Sequence, residues 1–113
     1  MRAIVTSSKS WVDTQSVIDV ICELPVGTVI LLPSKLGACK VIIDNADDLK
    51  FEVEDWFSDY PDYERNGSKT NAEMLQTDVD IVIAFLSHDS YAAKDCVRQA
   101  HFMDIDVKVL NTP

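Results

Sequence analysis

Four short apolar runs, set apart by stretches long enough for helices, constrain this chain more than any other feature. They are Arg2 to Thr6, Thr28 to Leu32, Asp80 to Leu86 and Ile105 to Leu110. Continuous runs of this kind, rich in β-branched residues, read as strands buried on both faces, as a parallel sheet requires. Lys50 to Val53 alternates instead and reads as a weaker strand near an edge. The intervening segments carry helical periodicity. Val17, Ile18, Ile21 and Leu24 make one stripe, with Asp13 or Thr14 as N-cap and Pro25 and Gly27 as terminators. Ala38 to Leu49 forms a second helix with Val41 and Ile42 inward, and Ser68 caps a third in which Asn71, Met74 and Leu75 share a side. Ala93, Cys96, Val97, Ala100 and Met103 line one face of the last. Strand and helix alternate throughout. The expected architecture is an α/β, three-layer sandwich with a mainly parallel five-stranded sheet and right-handed crossovers.

At 113 residues the chain is expected to form one domain, spanning 1–113. Nineteen acidic against ten basic residues give a formal charge of -9, which disfavours a surface that tracks a nucleic-acid backbone. No apolar run approaches the roughly 20 residues needed to span a bilayer, and the start turns polar by Thr6, so neither a membrane nor a secretory route is expected. Cys22, Cys39 and Cys96 are odd in number and form no CxxC pair, which argues against a disulfide framework or a zinc site. A cytoplasmic protein is the expectation. Cys22 and Cys96 read as small core residues.

In open parallel sheets, ligands bind beyond the C-terminal ends of the strands. The segments expected there are Ser7-Ser8-Lys9-Ser10-Trp11, Pro33-Ser34-Lys35-Leu36-Gly37-Ala38, Asn66-Gly67-Ser68-Lys69-Thr70-Asn71 and Ser87-His88-Asp89-Ser90-Tyr91. Three of them set one lysine among small hydroxyl residues, and Lys94 and Arg98 follow the fourth. Hydroxyls, backbone N–H groups and a cation at helix N-termini suit a phosphate, although such residues also populate ordinary exposed loops. His88 and His101 share no metal-ligating spacing, and no Gly-x-Ser-x-Gly elbow is present, so no metal, cofactor or serine nucleophile is expected.

These segments, taken in order, resemble the SLOG superfamily of Rossmann-like nucleotide-binding domains, named for DNA-processing protein A and the LOG enzymes, and the resemblance implies a Rossmann-like sandwich with its strands in the order 3-2-1-4-5. The most similar group is the small YspA-like domain of bacteria and phages. Thr6-Ser7-Ser8-Lys9-Ser10-Trp11 parallels that group's Gly-Ser-Arg-Asp-Trp turn, and Leu32 to Cys39 its His-Gly-Gly-Ala-Arg-Gly-Ala-Asp loop. Asp55-Trp56, then Gly67 to Leu75, then Ala84-Phe85 with Tyr91 to Ala100, follow the remaining motifs in register. The family's glycines are largely absent: Pro33 and Ser34 stand at one Gly-Gly and Ala92-Ala93 at a Gly-Thr. Lys9, Leu36, Thr70 and Tyr91 replace its arginines. Where the related phosphoribohydrolases carry their catalytic Glu, this chain has Cys96, with Asp95 adjacent.

What the resemblance implies is therefore binding without hydrolysis. The ligand is a nucleotide or nucleotide-derived molecule, of ADP-ribose or nucleoside-phosphate type. Its expected contacts are Ser7, Ser8, Lys9, Ser10, Trp11, Pro33, Ser34, Lys35, Gly37, Lys69, Thr70, Asn71, Ser87, His88, Ser90 and Tyr91. Ser7, Ser8 and Ser34 hold phosphate, Lys9, Lys35 and Lys69 balance it, and Trp11 or Tyr91 stacks on a base. The family's distribution fits a phage accessory protein, acting in the host cytoplasm, that sequesters a signalling nucleotide or alters a host protein. A homodimer through helices flanking the site is a further expectation. A residual nucleotide N-glycosidase using Lys9 and Asp95 is the enzymatic alternative.

A second feature stands outside that resemblance. From Asp44 to Glu64, nine acidic residues face Lys50 alone, so this segment carries eight of the nine excess negative charges. Five aromatics, Phe51, Trp56, Phe57, Tyr60 and Tyr63, are interleaved with them. The ordinary explanation is a solvated edge whose aromatics pack inward. The functional one is a protein-binding surface made of Glu54, Asp55, Trp56, Phe57, Asp59, Tyr60 and Tyr63, which repels nucleic acid and attracts basic partners.

Overall fold

The structure of the chain, a computed structural model, describes residues 1–58, 61–87 and 90–112. Strands and helices alternate from end to end: β1 Arg2–Ser7, α1 Thr14–Cys22, β2 Val29–Leu32, α2 Ala38–Leu49, β3 Glu52–Asp55, α3 Tyr63–Leu75, β4 Ile81–Leu86, α4 Tyr91–Phe102 and β5 Asp106–Asn111. The five strands make one sheet in the order β3-β2-β1-β4-β5, and every neighbouring pair is parallel. The chain works outward from β1 to β3 on one side, then returns to β4 and works outward on the other. Crossovers of a single hand must then place the first two helices on one face and the last two on the opposite face.

The core divides in that way. Val5, Ile30, Leu32, Ile83 and Phe85 of the sheet pack with Val17, Val20 and Ile21 of α1 and Ala38, Cys39 and Ile42 of α2. Their strand neighbours Ile4, Leu31 and Val82 pack with Met74 and Leu75 of α3 and Cys96 and Ala100 of α4. Successive residues of a strand point to opposite faces, so two covered faces demand an unbroken apolar run. That is why β1, β2 and β4 lack alternation.

Several local expectations are corrected. The run ending at Leu110 is not buried on both faces: β5 is an edge strand, with Asp106, Lys108, Val109 and Asn111 exposed. β3 starts at Glu52, because Lys50 adopts a left-handed conformation (φ 58°, ψ 36°) and closes α2 by donating its N–H to Ala46 O at 2.9 Å. α3 starts at Tyr63, not after Ser68; Asp62 is its N-cap, accepting from Arg65 N at 3.3 Å. The Gly67-Ser68 pair, which reads as a turn, lies inside the helix. A Cβ on Gly67 would stand 2.5 Å from Ala92 Cβ, so the glycine is there to let α3 and α4 approach. α1 ends earlier than its stripe suggests, which leaves Cys22 exposed rather than in the core. Met103, just past α4, is exposed as well. Among the described residues no helix is long and apolar enough to cross a membrane.

Candidate functional site

Reversal of strand order between β1 and β4 opens the crevice in which such sheets usually bind ligands. Here serines bridge it. Ser8 N donates to Phe85 O at 2.9 Å, and Ser87 N donates to Ser8 Oγ at 2.7 Å. Ser8 Oγ also bonds Ser90 Oγ, whose hydroxyl reaches Ser87 O at 2.9 Å, and Ser10 Oγ meets Ser87 Oγ at 2.9 Å. Ser8 and Ser90 are buried by these contacts. Ser7 is committed in the same way: its Oγ donates to Ser8 O at 2.7 Å and accepts from Ala38 N at 2.9 Å. The hydroxyls expected to grip a phosphate thus tie the β1, β2 and β4 loops to one another. Gly37 permits this closure, because at φ 59° a Cβ would lie 2.1 Å from Ser8 O.

Among the described residues, two cavities flank the bridge. The first, about 170 Å³, has a buried floor of Ser7, Ser34 and Tyr63 and a rim of Lys9, Leu36, Pro61, Asp62 and Glu64. Ser34 Oγ accepts from Leu36 N at 3.1 Å, while its own proton has no acceptor among the described residues. The second, about 200 Å³, lies past the ends of β4 and β5 and is lined by Leu86, Ser87, Lys94, Asn111 and Thr112. It adjoins the start of α4, where Ser90 makes no side-chain cap because its hydroxyl is engaged in the bridge. Among the described residues, the first cavity presents two carboxylates and one ammonium, and the second presents one ammonium and no carboxylate.

The remaining expected contacts separate. Lys9, Ser10 and Lys35 are exposed, Pro33 is buried, and Gly37 opens α2. Trp11 is not free to stack on a base: its ring is buried edge-on against Phe85 at 5.2 Å, and its Nε1–H donates to Asp13 O at 3.0 Å. Tyr91, at 65% exposure, remains free to do so. Lys69 is exposed on α3, whereas Thr70 and Asn71 are fully buried within the helix packing, so this stretch is not a loop at the cleft. His88, with Asp89, lies outside the described residues.

Asn71 belongs to a buried polar network that the sequence did not signal. Tyr63 Oη donates to Asn71 Oδ1 at 2.6 Å and meets Thr6 Oγ1 at 2.8 Å. Asn71 Nδ2 donates to Ala92 O at 2.9 Å and to Asp95 Oδ2 at 3.1 Å, and Gln99 Nε2 also donates to Asp95 Oδ2, at 2.7 Å. Burial holds the Tyr63 phenol well above its usual range. Cys96, fully buried next to Asp95, has its thiol pushed up first by desolvation and then by that neighbouring charge. Burial likewise raises the Cys39 thiol to about 12. A protonated thiol is a poor nucleophile.

The acidic-aromatic segment divides between burial and solvent. Tyr63 is in the core, not on a surface, and Phe57 and Trp56 are half-buried against the two core clusters. Glu54 is paired: it takes a two-pronged contact from Arg2 at 3.1 and 3.2 Å and a further bond from Trp56 Nε1 at 3.0 Å. Asp55 is exposed, and its carboxylate caps the next turn, accepting from Phe57 N at 2.8 Å and Ser58 N at 3.0 Å. Asp59 and Tyr60 lie outside the described residues. Asp44, paired with Lys40 Nζ at 2.8 Å, and Asp47, Asp48 and Glu52 also face water on α2 and β3.

Sequence reasoning missed Asp62 and Glu64 as cavity residues, because it placed the helix start six residues too late. A Pro-Asp pair followed by an acid in the first turn was the available signal. Asn111 and Thr112 had none. No protein-family model, curated protein or solved structure matches the chain.

Proposed function

We propose that this chain is a non-hydrolytic binder of a nucleotide or nucleotide-derived ligand, held at the C-terminal edge of its parallel sheet. The observation that carries the reading is the pair of cavities on either side of the serine bridge, one of them basic and adjoining the start of a helix. Lys94, in the first turn of α4, supplies the cation a phosphate needs there, with Ser87, Asn111 and Thr112 as neutral partners. Tyr91, exposed on the opening turn of the same helix, is available to a base. The resemblance to the SLOG domains leads to the same edge of the sheet.

The chemistry at positions 95 and 96 supports the non-hydrolytic part of this reading. Cys96 is a buried, protonated thiol where the related hydrolases place their glutamate, and Asp95 is buried and engaged by Asn71 and Gln99. Neither reaches the cavities. A thermal-shift titration with ribonucleoside monophosphates, diphosphates and ADP-ribose tests the reading: at least one must raise Tm progressively with concentration. Lys94→Ala should weaken that ligand about ten-fold, the loss of one charge-assisted contact. Free base should not accumulate in the same mixtures. A flat Tm across the panel defeats the proposal.

A second reading has its own support in the acids that remain exposed. Asp44, Asp47 and Asp48 on α2 and Glu52 and Asp55 on β3 form an acidic margin beside the open edge of the sheet. A basic host protein is the partner this surface suits. Capture of a partner that is lost on Asp47→Lys with Glu52→Lys, without any nucleotide-induced Tm shift, would favour it over the first.

A further inference from the structure

Resting on the ligand-binding reading, we infer that the cavity between the β1 and β2 loops and the start of α3 takes the sugar diol of the ligand and not its phosphate. The neighbouring crevice, where a phosphate would ordinarily enter, is closed by the Ser8–Ser87–Ser90 contacts. The cavity that stays open has carboxylates on its rim. Asp62 spends Oδ1 on capping α3, and its second oxygen has no partner among the described residues; neither has the Glu64 carboxylate. Two carboxylates within so small a space oppose an anion, and Lys9 offsets only one of them. Hydroxyl donors suit them well, since an ionised carboxylate can only accept.

The floor adds the complementary group. Ser34, 9% exposed, accepts from Leu36 N with one of its two lone pairs, while its proton has no acceptor among the described residues. A buried hydroxyl in that state favours a ligand oxygen that can accept, such as a ribose oxygen. At about 170 Å³ the cavity is below the size of a whole-nucleotide pocket but large enough for a pentose. Because Ser7 pairs in register with Phe85 on the adjacent strand, this cavity and the one lined by Ser87 and Lys94 open on neighbouring strand ends. One ligand can place its sugar in the first and direct its phosphate toward the second.

The experiment compares the four ribonucleoside 5′-monophosphates with their 2′,3′-dideoxy counterparts by calorimetry, on the unmodified chain and on Asp62→Asn with Glu64→Gln. Asparagine keeps an N-cap oxygen, so the variant retains α3, and its melting curve checks this. The expected result is a dideoxy ligand at least ten-fold weaker on the unmodified chain, because a site built for hydroxyls is left with unpaired groups. In the double variant the ribo and dideoxy forms should bind alike. Equal affinity on the unmodified chain overturns the sugar assignment and leaves the ligand-binding reading standing. A difference that persists in the variant removes these two carboxylates from the role. If no monophosphate of either kind binds, the sugar assignment falls; the ligand-binding reading falls with it only if the diphosphates and ADP-ribose also leave Tm flat.

Discussion

Ser8 illustrates how a single side chain can close a site that its neighbours suggest is open. It is a hydroxyl in a Ser-Ser-Lys-Ser run at a strand end, the composition of an anion loop, yet its Oγ joins Ser87 N to Ser90 Oγ across the switch-point crevice. Ser8→Ala leaves the partly buried Ser87 N–H without its acceptor and should cost about 1–2 kcal/mol in urea-induced unfolding, whereas Ser10→Ala, at an exposed position, should change little. Gly37 is the stricter constraint. Its φ of 59° and ψ of -131° lie where only glycine is comfortable, and the added methyl of Gly37→Ala would strike Ser8 O. A loss on the order of 2–4 kcal/mol is expected in the same measurement.

At the level of elements, the contact between α3 and α4 decides more than either helix does alone. Gly67 ordinarily weakens a helix interior by roughly 1 kcal/mol relative to alanine, so propensity alone makes Gly67→Ala stabilising. The contact with Ala92 reverses the sign, since the new methyl has no space, and overpacking of this kind costs about 1–3 kcal/mol. Gly67→Ala should therefore lower Tm, and adding Ala92→Gly should recover part of the loss; additive losses would contradict the packing argument. The same approach buries Asn71 and Asp95 at the interface, where each finds a hydrogen-bonded partner instead of water.

Across the whole molecule, the edge strand β3 is tied to the central strand β1 by Arg2, which grips Glu54 in two-pronged fashion and also donates to Thr77 O at 2.8 Å and Thr77 Oγ1 at 2.9 Å. The hydrogen bond from Arg2 lowers the Glu54 carboxyl below its usual range. A group with a depressed folded pKa contributes stability above its unfolded value, near 4.3, and loses it as pH falls through the folded value. The pair is partly exposed, so its share is at most about 1 kcal/mol. Unfolding free energy should decline below about pH 4.5, and Glu54→Gln should flatten part of that decline. If the variant and the unmodified chain keep parallel pH profiles, the Arg2 contact contributes nothing to the acid limb.

By itself the sequence pattern determined the layers, while the order of the strands came with the resemblance. Unbroken β-branched runs require two covered faces, and a reversal of strand order under one crossover hand requires the helices to split between them. That reading holds from Arg2–Ser7 through Ile81–Leu86 and places α2 at Ala38–Leu49 as expected. It misjudged β5, because an apolar residue on an edge strand looks the same in one dimension as one in the centre. Only tertiary structure decided that Gly67-Ser68 lies inside a helix, that Trp11 faces Phe85, and that the loop serines satisfy one another. The physical reason is common to all three. Hydroxyls, glycines and aromatics commit to partners far away in sequence, across separations such as the 82 residues between Ser8 and Ser90, and local pattern carries no record of which partner is within reach.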